Sequence, residues 1–372
     1  MKNKHLRNLF VCNSVYQTLV AMWIQYACCG DTPADMIVSD HMNGGEALCK
    51  RLQKSSMFEN VYYVKNVGFA KFQKRIHRLE RIEASLMPNR FLKRFVHLEH
   101  RYSSIYLANV DYFSQLLFDA AAHKNPKVKL YIYEDGLFTY SRLYEKDYAG
   151  TYIPVTQPLK KFLHRHIYRK RTIYGHVAGM LLFNPDNLNW TPPFPVQALL
   201  KIDRTDEQFR TLCNLVFDYS QSVDQYDRKY IFMEESFYAE GAALNDLEVI
   251  QQLAQRVGKD NIMVKIHPRN PENRFASLGF KTNKNTSIPW EVILMNLGDI
   301  SDKKLITVSS SSVLNPILIF GLPVKAYSIY HCVDHEHCNS RLLSGEMWEI
   351  AQKMFHKYSD MVTICDSIDD IP

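Results

Sequence analysis

Blocks of hydrophobic and polar positions alternate along the chain, and they predict strands and helices in turn. Short apolar runs rich in β-branched and aromatic residues indicate buried strands, whereas apolar residues three or four positions apart indicate helices. Before residue 184, the predicted strands are 9–12, 36–39, 61–64, 104–108 and 128–133, and the predicted helices are 15–28, 46–52 and 112–122. Strands that alternate with helices in this way are typical of a parallel, doubly wound sheet.

The same alternation resumes after a polar, proline-rich stretch at 184–195, whose composition marks a linker. The predicted strands that follow are 230–233, 262–266, 305–308, 323–327 and 361–365, and the predicted helices are 246–257, 289–297, 312–320 and 346–357. We therefore predict an α/β fold with an N-terminal domain at 1–183, a linker at 184–205 and a C-terminal domain at 206–372. We expect the functional site in a cleft between the two domains.

The chain's 372 residues exceed one small core, and its 46% apolar and 23% charged residues are the proportions of a globular protein. Its eight cysteines are scattered, several of them in apolar runs, which favours a reducing compartment over a disulfide framework. The apolar run near the start is interrupted by Asn13, Ser14 and Gln17, unlike a secretory signal. Because no run of about 18 apolar residues occurs, we expect a cytoplasmic protein, soluble or peripheral on the inner face of the membrane.

A net charge of +6 is concentrated in two basic segments, 71–101 and 160–171. In the second segment, which is bounded by Lys160 and Arg171, apolar residues share one predicted helical face and basic residues share the other. This pattern fits a helix at an anionic membrane surface, and it fits a helix packed on the protein's own core equally well. Nucleic acid is the least favoured partner, because no nucleic-acid-binding motif accompanies the basic residues.

Glu134, Asp135 and Gly136 directly follow the strand predicted at 128–133. Glycine permits a tight turn, and carboxylates at the carboxyl edge of a sheet lie where ligands bind in open α/β folds. A carboxylate at this edge can take the proton from an attacking hydroxyl as a general base. The alternative is a turn whose acidic residues are simply solvated.

A second motif, made of His267, Pro268 and Arg269, ends the strand predicted at 262–266. Proline cannot donate to a strand ladder, so the strand stops here and delivers the imidazole to the carboxyl edge of the sheet. Histidine can stabilise or protonate a departing phosphate near neutral pH, and Lys265 and Arg269 lie on the same side of the strand. The alternative is a histidine that caps the strand by hydrogen bonding.

Four consecutive serines join the strand predicted at 305–308 to an apolar helix; they are Ser309, Ser310, Ser311 and Ser312. Backbone N–H groups and hydroxyls at a strand-to-helix junction form a phosphate site, which the helix dipole favours. Ordinary N-capping is the alternative, although capping needs one serine and not four.

Other ligand signatures are missing from the sequence or incomplete. No Gly-x-Gly-x-x-Gly pattern follows an early strand, which disfavours a dinucleotide enzyme, and no Asp-x-Asp pair indicates a metal-dependent sugar-nucleotide site. Residues 331–338 are dense in His and Cys but lack a second ligand pair at zinc-finger spacing, so a polar loop is favoured over a metal site.

The three motifs, taken in this order, resemble those of bacterial sialyltransferases of the lipooligosaccharide type (glycosyltransferase family 52) and of the related capsule polysialyltransferases. Those families share an acidic-Gly, a His-Pro and a serine motif, which match here at 134–136, 267–268 and 309–312. The opening segment at 9–17, which contains Asn13, also resembles their first strand and loop. The resemblance implies two Rossmann-like domains facing a cleft (GT-B type). It also implies an inverting transfer of sialic acid from CMP-sialic acid to a hydroxyl of lipooligosaccharide or capsule, without a metal or other cofactor.

On this model His267 contacts or protonates the departing CMP phosphate, and the serines bind the same phosphate. The predicted donor-binding set is completed by Lys265, Pro268, Arg269, Gly136 and Asn13. The base lies either in the acidic-Gly motif, which maps to Glu134 or Asp135, or after the first strand of the second domain, at Glu234 or Glu235. We favour Glu134 as the base, with Glu235 in reserve.

Two other hypotheses stay open. One keeps the fold and changes the donor to a UDP- or GDP-linked sugar, or makes the product polysialic acid. The other is a non-catalytic protein that binds glycan or nucleotide at a membrane-bound synthesis complex, and the combination of acids, His267 and serines argues against it. The predicted partners are the nucleotide-sugar donor, the glycan acceptor and an anionic membrane surface at 160–171; homodimer formation is left open.

Overall fold

The computed structural model describes residues 6–65, 83, 87–141, 177–220, 226–242, 244–335, 338, 343 and 345–372. The chain forms two compact units. The first contains Met1–Asp135 and Arg142–Leu200, and the second contains Gly136–Ser141 and Lys201–Pro372. In the described part of the chain, no helix is long and apolar enough to cross a membrane. The basic segment 160–171 lies outside the described residues, as do residues 71–82 and 84–86 of the segment 71–101, so the helix predicted at 160–171 stays a prediction.

Parallel strands form the sheet of the first unit, in the order β3-β2-β1-β4-β5-β6-β7 within the described residues. The strands are β1 (Arg7–Cys12), β2 (Ala34–Ser39), β3 (Asn60–Val64), β4 (Tyr102–Leu107), β5 (Lys129–Tyr133), β6 (Val177–Leu182) and β7 (Val196–Ala198). The described helices are α1 (Val15–Cys28), α2 (Gly45–Lys54), α3 (Pro88–Leu92) and α4 (Tyr112–Lys124). All six residues of β2 are buried, as expected for a parallel strand covered on both faces.

The strand order reverses direction between β1 and β4, which are neighbours although β2 and β3 intervene in sequence. In open α/β sheets such a switch point opens a crevice at the carboxyl ends of the strands, where ligands bind. Helix α1 starts at this edge, and the side chain of Ser14 caps it by accepting a hydrogen bond from the Gln17 N–H, at 3.1 Å. The loop between β1 and α1 therefore borders the crevice.

The second unit also contains a parallel sheet, and its described strands lie in the order β10-β9-β8-β11-β12-β13. The strands are β8 (Tyr230–Met233), β9 (Ile262–Lys265), β10 (Lys281–Thr282), β11 (Lys304–Thr307), β12 (Lys325–Ser328) and β13 (Val362–Ile364). The described helices are α5 (Glu207–Phe217), α6 (Asp246–Val257), α7 (Arg274–Ser277), α8 (Trp290–Asn296), α9 (Asn315–Phe320) and α10 (Gly345–Lys357). Its switch point lies between β8 and β11.

Each unit contains a parallel sheet of the Rossmann-like α/β type, which confirms the predicted fold class. The segment predicted as linker, 184–205, contains β7, which pairs with β6 in the first sheet. The Met180 N–H bonds to the Pro195 carbonyl at 2.9 Å, so a proline beside an edge strand still takes part in the sheet as an acceptor. The boundary between the units falls after Leu200, near the end of the predicted linker.

Candidate active-site residues

The acidic-Gly motif lies where β5 ends, at the carboxyl edge of the first sheet. The Glu134 N–H bonds to the Leu181 carbonyl of β6 at 3.1 Å, so hydrogen bonding between the two chain segments extends one residue beyond Tyr133, where β5 ends. Gly136 has a φ of 67°, in the left-handed region that favours glycine, and the chain then turns into a 3₁₀ helix at Phe138–Tyr140. The turn thus delivers two consecutive carboxylates to the sheet edge.

Glu134 is only 3% exposed, and both of its carboxylate oxygens accept hydrogen bonds. The Tyr16 hydroxyl, from the first turn of α1, donates to Oε1 at 2.9 Å. The Phe183 backbone N–H, just after β6, donates to Oε2 at 2.9 Å. Charge-assisted hydrogen bonds favour the ionised form of a carboxyl group and fix its orientation.

Asp135 is half-buried and belongs to an amide-rich cluster at the same edge. The side chains of Gln17 and Asn109 hydrogen bond to its carboxylate. Burial raises the pKa of Asp135 to about 6, and the two amide hydrogen bonds oppose that rise. Asn13, predicted in the donor-binding set, belongs to this cluster, because its backbone N–H donates to Gln17 Oε1 at 2.7 Å.

The His-Pro motif forms a tight turn at the end of β9 in the second unit. The Asn270 N–H bonds to the His267 carbonyl at 3.0 Å and closes the turn. Two buried side chains hold the strand just before it. Asn283 Oδ1 accepts from the Ile266 N–H at 2.6 Å, and Glu234 Oε2 accepts from the His267 N–H at 3.0 Å.

The imidazole of His267 is half-buried and neutral at physiological pH. Burial lowers its pKa to about 3, and the nearby charges of Arg269 and Lys265 lower it further. Nδ1 accepts a hydrogen bond from the Arg269 backbone N–H at 3.2 Å, so the neutral ring carries its proton on Nε2. Lys265 is 8% exposed, whereas the exposed Arg269 guanidinium donates to Ser236 Oγ at 2.7 Å. The motif therefore combines a neutral N–H donor with two positive charges.

Glu235 positions the serine turn, and its side chain is buried and not exposed to a substrate. Its Oε1 accepts from Thr307 Oγ1 at 2.9 Å, the Ser309 N–H at 2.7 Å and the Ser310 N–H at 3.1 Å. Its Oε2 accepts from Ser309 Oγ at 3.0 Å. Burial raises the pKa of Glu235, and these four hydrogen bonds oppose the rise. The geometry thus makes Glu235 a structural carboxylate and speaks against its predicted place as reserve base.

The same contacts reduce the number of serine groups that can bind a phosphate. The N–H groups of Ser309 and Ser310 and the Ser309 hydroxyl face Glu235, so they do not face a ligand. Ser310 Oγ accepts from the Ser312 N–H at 3.2 Å and lies 3.0 Å from Ser312 Oγ, where a 3₁₀ helix begins at Ser311–Leu314. The half-buried residues Ser310, Ser311 and Ser312 therefore carry the hydroxyls that remain for a ligand.

Two consecutive glutamates thus bind the turns on either side of the switch point of the second sheet. β8 lies between β9 and β11, and Glu234 reaches the His267 turn while Glu235 reaches the serine turn. Glu234 is also paired with the guanidinium of Arg274, at 3.1 Å. From the sequence we considered Glu234 only as an alternative position of the base, and we gave Arg274 no role. The available signal was a pair of acids directly after a buried strand.

Among the described residues, no group of three or more His, Cys, Asp or Glu side chains could hold a metal ion. In the segment 331–338, the rings of His331 and His335 lie against Tyr330, which stacks on Trp348 at 3.6 Å between ring centroids. Glu336 and His337 lie outside the described residues.

Comparisons with known proteins give solved structures that are similar to this chain and one matching family. Solved structures similar to this chain include Arabidopsis thaliana UGT89C1 in complex with UDP-L-rhamnose (10% identity, 99% of this chain, 88% of that chain, TM-score 0.49). Acinetobacter baumannii MurG is another (8% identity, 96% and 85% coverage, TM-score 0.46). No curated protein sequence matches the chain significantly.

The family model described as alpha-2,8-polysialyltransferase (POLYST) matches residues 8–328, a span that includes all three sequence motifs. The predicted relationship to bacterial sialyltransferases is confirmed at this level, while the lipooligosaccharide type stays a prediction. A match over this share of the 372 residues shows that the chain is a glycosyltransferase that belongs to the alpha-2,8-polysialyltransferase family.

Proposed function

We propose that this protein transfers sialic acid from CMP-sialic acid to a hydroxyl of a cell-surface glycan, with inversion at the anomeric carbon and without a metal. The observation that carries the proposal is the imidazole of His267, which is neutral, protonated on Nε2 and close to Lys265 and Arg269. A neutral donor beside two cations suits a phosphate that gains negative charge as it departs.

In the donor half of the reaction, His267 stabilises the leaving phosphate and does not protonate it. The second pKa of a phosphate monoester is about 6, so departing CMP holds its charge at neutral pH without a proton. The imidazole, whose pKa of about 3 leaves it unprotonated on Nδ1, supplies a hydrogen bond from Nε2. Lys265 and the hydroxyls of Ser310 and Ser312 add positive charge and further donors for the same phosphate.

In the acceptor half, Glu134 is the general base. The Tyr16 hydroxyl and the Phe183 N–H hold its carboxylate in one orientation at the carboxyl edge of the first sheet. The acceptor oxygen attacks the anomeric carbon opposite CMP as the bond to the phosphate breaks, and its proton passes to Glu134. The sugar passes through an oxocarbenium-like transition state, which needs no covalent enzyme intermediate in an inverting reaction.

The acceptor is a glycan that already ends in sialic acid. The matching family is described by alpha-2,8-polysialyl transfer, which favours the polysialic product over a single addition to lipooligosaccharide. We place the protein in the cytoplasm, with the basic segment 160–171 on an anionic membrane surface. Capsule polysaccharide synthesis is the process that such a location and product serve.

Thermal stabilisation by nucleotides tests the donor. A ligand that binds only the folded state stabilises it by about 2.7 kcal/mol at 100 times its dissociation constant. We expect CMP to raise the melting temperature of the chain, and UDP, GDP and NAD to raise it little. His267→Ala should weaken the CMP shift, whereas His356→Ala, at an exposed position on α10, should leave it intact. A larger shift with UDP or GDP would keep the fold and contradict the sialyl donor.

A further inference from the structure

The crevice at the switch point of the first sheet contains a polar cluster that makes none of the hydrogen bonds described for Glu134, the proposed base. Its members are Asn13, Gln17, Asn109 and Asp135. Asn13 and Gln17 come from the loop and first turn after β1, Asn109 follows β4, and Asp135 follows β5. The cluster thus collects side chains from both sides of the strand reversal, at the edge where open α/β sheets bind ligands.

The hydrogen bonds of the cluster have a fixed direction. The Asn13 N–H donates to Oε1 of Gln17, which is 2% exposed, and Gln17 Nε2 in turn donates to Asn109 Oδ1. With these acceptor atoms occupied, the NH₂ groups of Gln17 and Asn109 are the atoms that serve the Asp135 carboxylate. Gln17 and Asn109 therefore hold Asp135 in place as an acceptor.

One buried atom of the cluster lacks a partner. Within the described residues, the side-chain oxygen Oδ1 of Asn13 is buried and accepts no hydrogen bond. A buried oxygen without a donor is unfavourable, so such an atom in a binding crevice indicates a ligand that supplies one. The neighbouring Asp135 carboxylate is also an acceptor, and its negative charge disfavours a phosphate or carboxylate at this position.

The free hydroxyls of a sugar donate hydrogen bonds and have no negative charge, so a sugar fits this position. We propose that Asn13 and Asp135 bind hydroxyl groups of the acceptor sugar, with Gln17 and Asn109 as their positioning residues. This proposal rests on the proposed function, because Glu134, the residue before Asp135, receives the proton of the attacking hydroxyl. It moves Asn13 from the donor-binding set to the acceptor side.

Steady-state kinetics of the 372-residue chain, with CMP-sialic acid and an oligosialic primer varied in turn, test this assignment. Asn13→Ala should raise the KM for the primer about tenfold, the equivalent of one lost hydrogen bond, and should leave the KM for CMP-sialic acid unchanged. Asn13→Gln, which keeps an uncharged amide oxygen near the same place, should recover part of the primer binding that Asn13→Ala loses. Asn261→Ala, at an exposed position of the second unit, is the matched control.

A pH profile gives a readout that a purely structural role would not move. The ionised carboxylate accepts from hydroxyls at both oxygens and more strongly than the protonated acid does, so the primer KM should rise as the pH falls through the Asp135 pKa of about 6. Asn109 stabilises the ionised form, so Asn109→Ala should shift this rise to higher pH. Asp135→Asn should abolish the rise.

If the wild type transfers sialic acid but Asn13→Ala and Asn109→Ala keep its primer KM and pH profile, the acceptor subsite is wrong and the proposed function stands. If the wild type transfers no sialic acid to any primer, the proposed function is wrong, and the subsite built on it is overturned as well.

Discussion

Glu134→Gln is expected to lower kcat about a thousandfold while leaving CMP binding unchanged. The amide keeps the size of the side chain and a hydrogen-bonding oxygen, but it cannot accept the proton of the attacking hydroxyl. A positioned general base contributes about 10²- to 10⁴-fold to the rate. CMP affinity should be preserved, because the proposal places the nucleotide on the His267 turn of the second unit.

Two variants make this result specific. Glu248→Gln changes an exposed glutamate on α6 in the same way and should behave as wild type. Asp135→Asn, one residue along the chain, should act mainly on the primer KM and not on kcat. A Glu134→Gln protein that folds by circular dichroism and keeps more than a tenth of the wild-type kcat would contradict Glu134 as the base. A thousandfold loss in Asp135→Asn instead would assign the proton to Asp135.

His267→Ala is expected to lower kcat by about 10²- to 10³-fold, the cost of removing one donor from a site where negative charge develops. His267→Gln should recover a large part of this loss. The side-chain amide nitrogen of glutamine is at the same distance along the side chain as Nε2 of histidine, so it can replace the Nε2–H donor. Because the pKa of His267 lies at about 3, the imidazole stays neutral across the assay range. The pH profile of His267→Gln should therefore be parallel to that of the wild type above pH 5.

The comparison of the two substitutions separates charge stabilisation from proton transfer. Equal losses in His267→Ala and His267→Gln, together with a pH limb that disappears in both, would show that His267 delivers a proton to CMP. His123→Ala, an exposed histidine on α4, controls for the loss of an imidazole elsewhere. A His267→Ala enzyme with near-normal turnover would remove His267 from the reaction and favour a non-catalytic nucleotide-binding turn.

The sequence was sufficient to predict where the motifs lie, because apolar runs of four to six residues identify buried strands. Each motif directly follows such a run, and parallel strands bring all their carboxyl ends to one edge of the sheet. Glu134 after β5, His267 after β9 and Ser309 after β11 are accordingly found at carboxyl edges. Strands β6, β7 and β10 were not predicted. Gly179 interrupts the apolar run of β6, and β7 and β10, with three and two residues, are too short to show a strand pattern.

The sequence was not sufficient to predict which atoms face a ligand. The contacts between Glu235 and Ser309 join residues 74 positions apart, and only the neighbouring positions of β8 and β11 in the sheet create them. Four serines after a strand are typical of a phosphate site, yet one carboxylate takes three of their donor groups. Similarly, the role of Gln17 depends on side chains that follow β4 and β5, which no local pattern reveals.

Sialyl transfer itself is tested most directly by mass spectrometry of an oligosialic primer, incubated with the 372-residue chain and CMP-sialic acid in the presence of EDTA. We expect the primer to grow by whole sialic acid residues, with one CMP released for each residue added and with no effect of EDTA. A primer that grows only with a UDP- or GDP-linked sugar, or that does not grow with any of these donors, would contradict it.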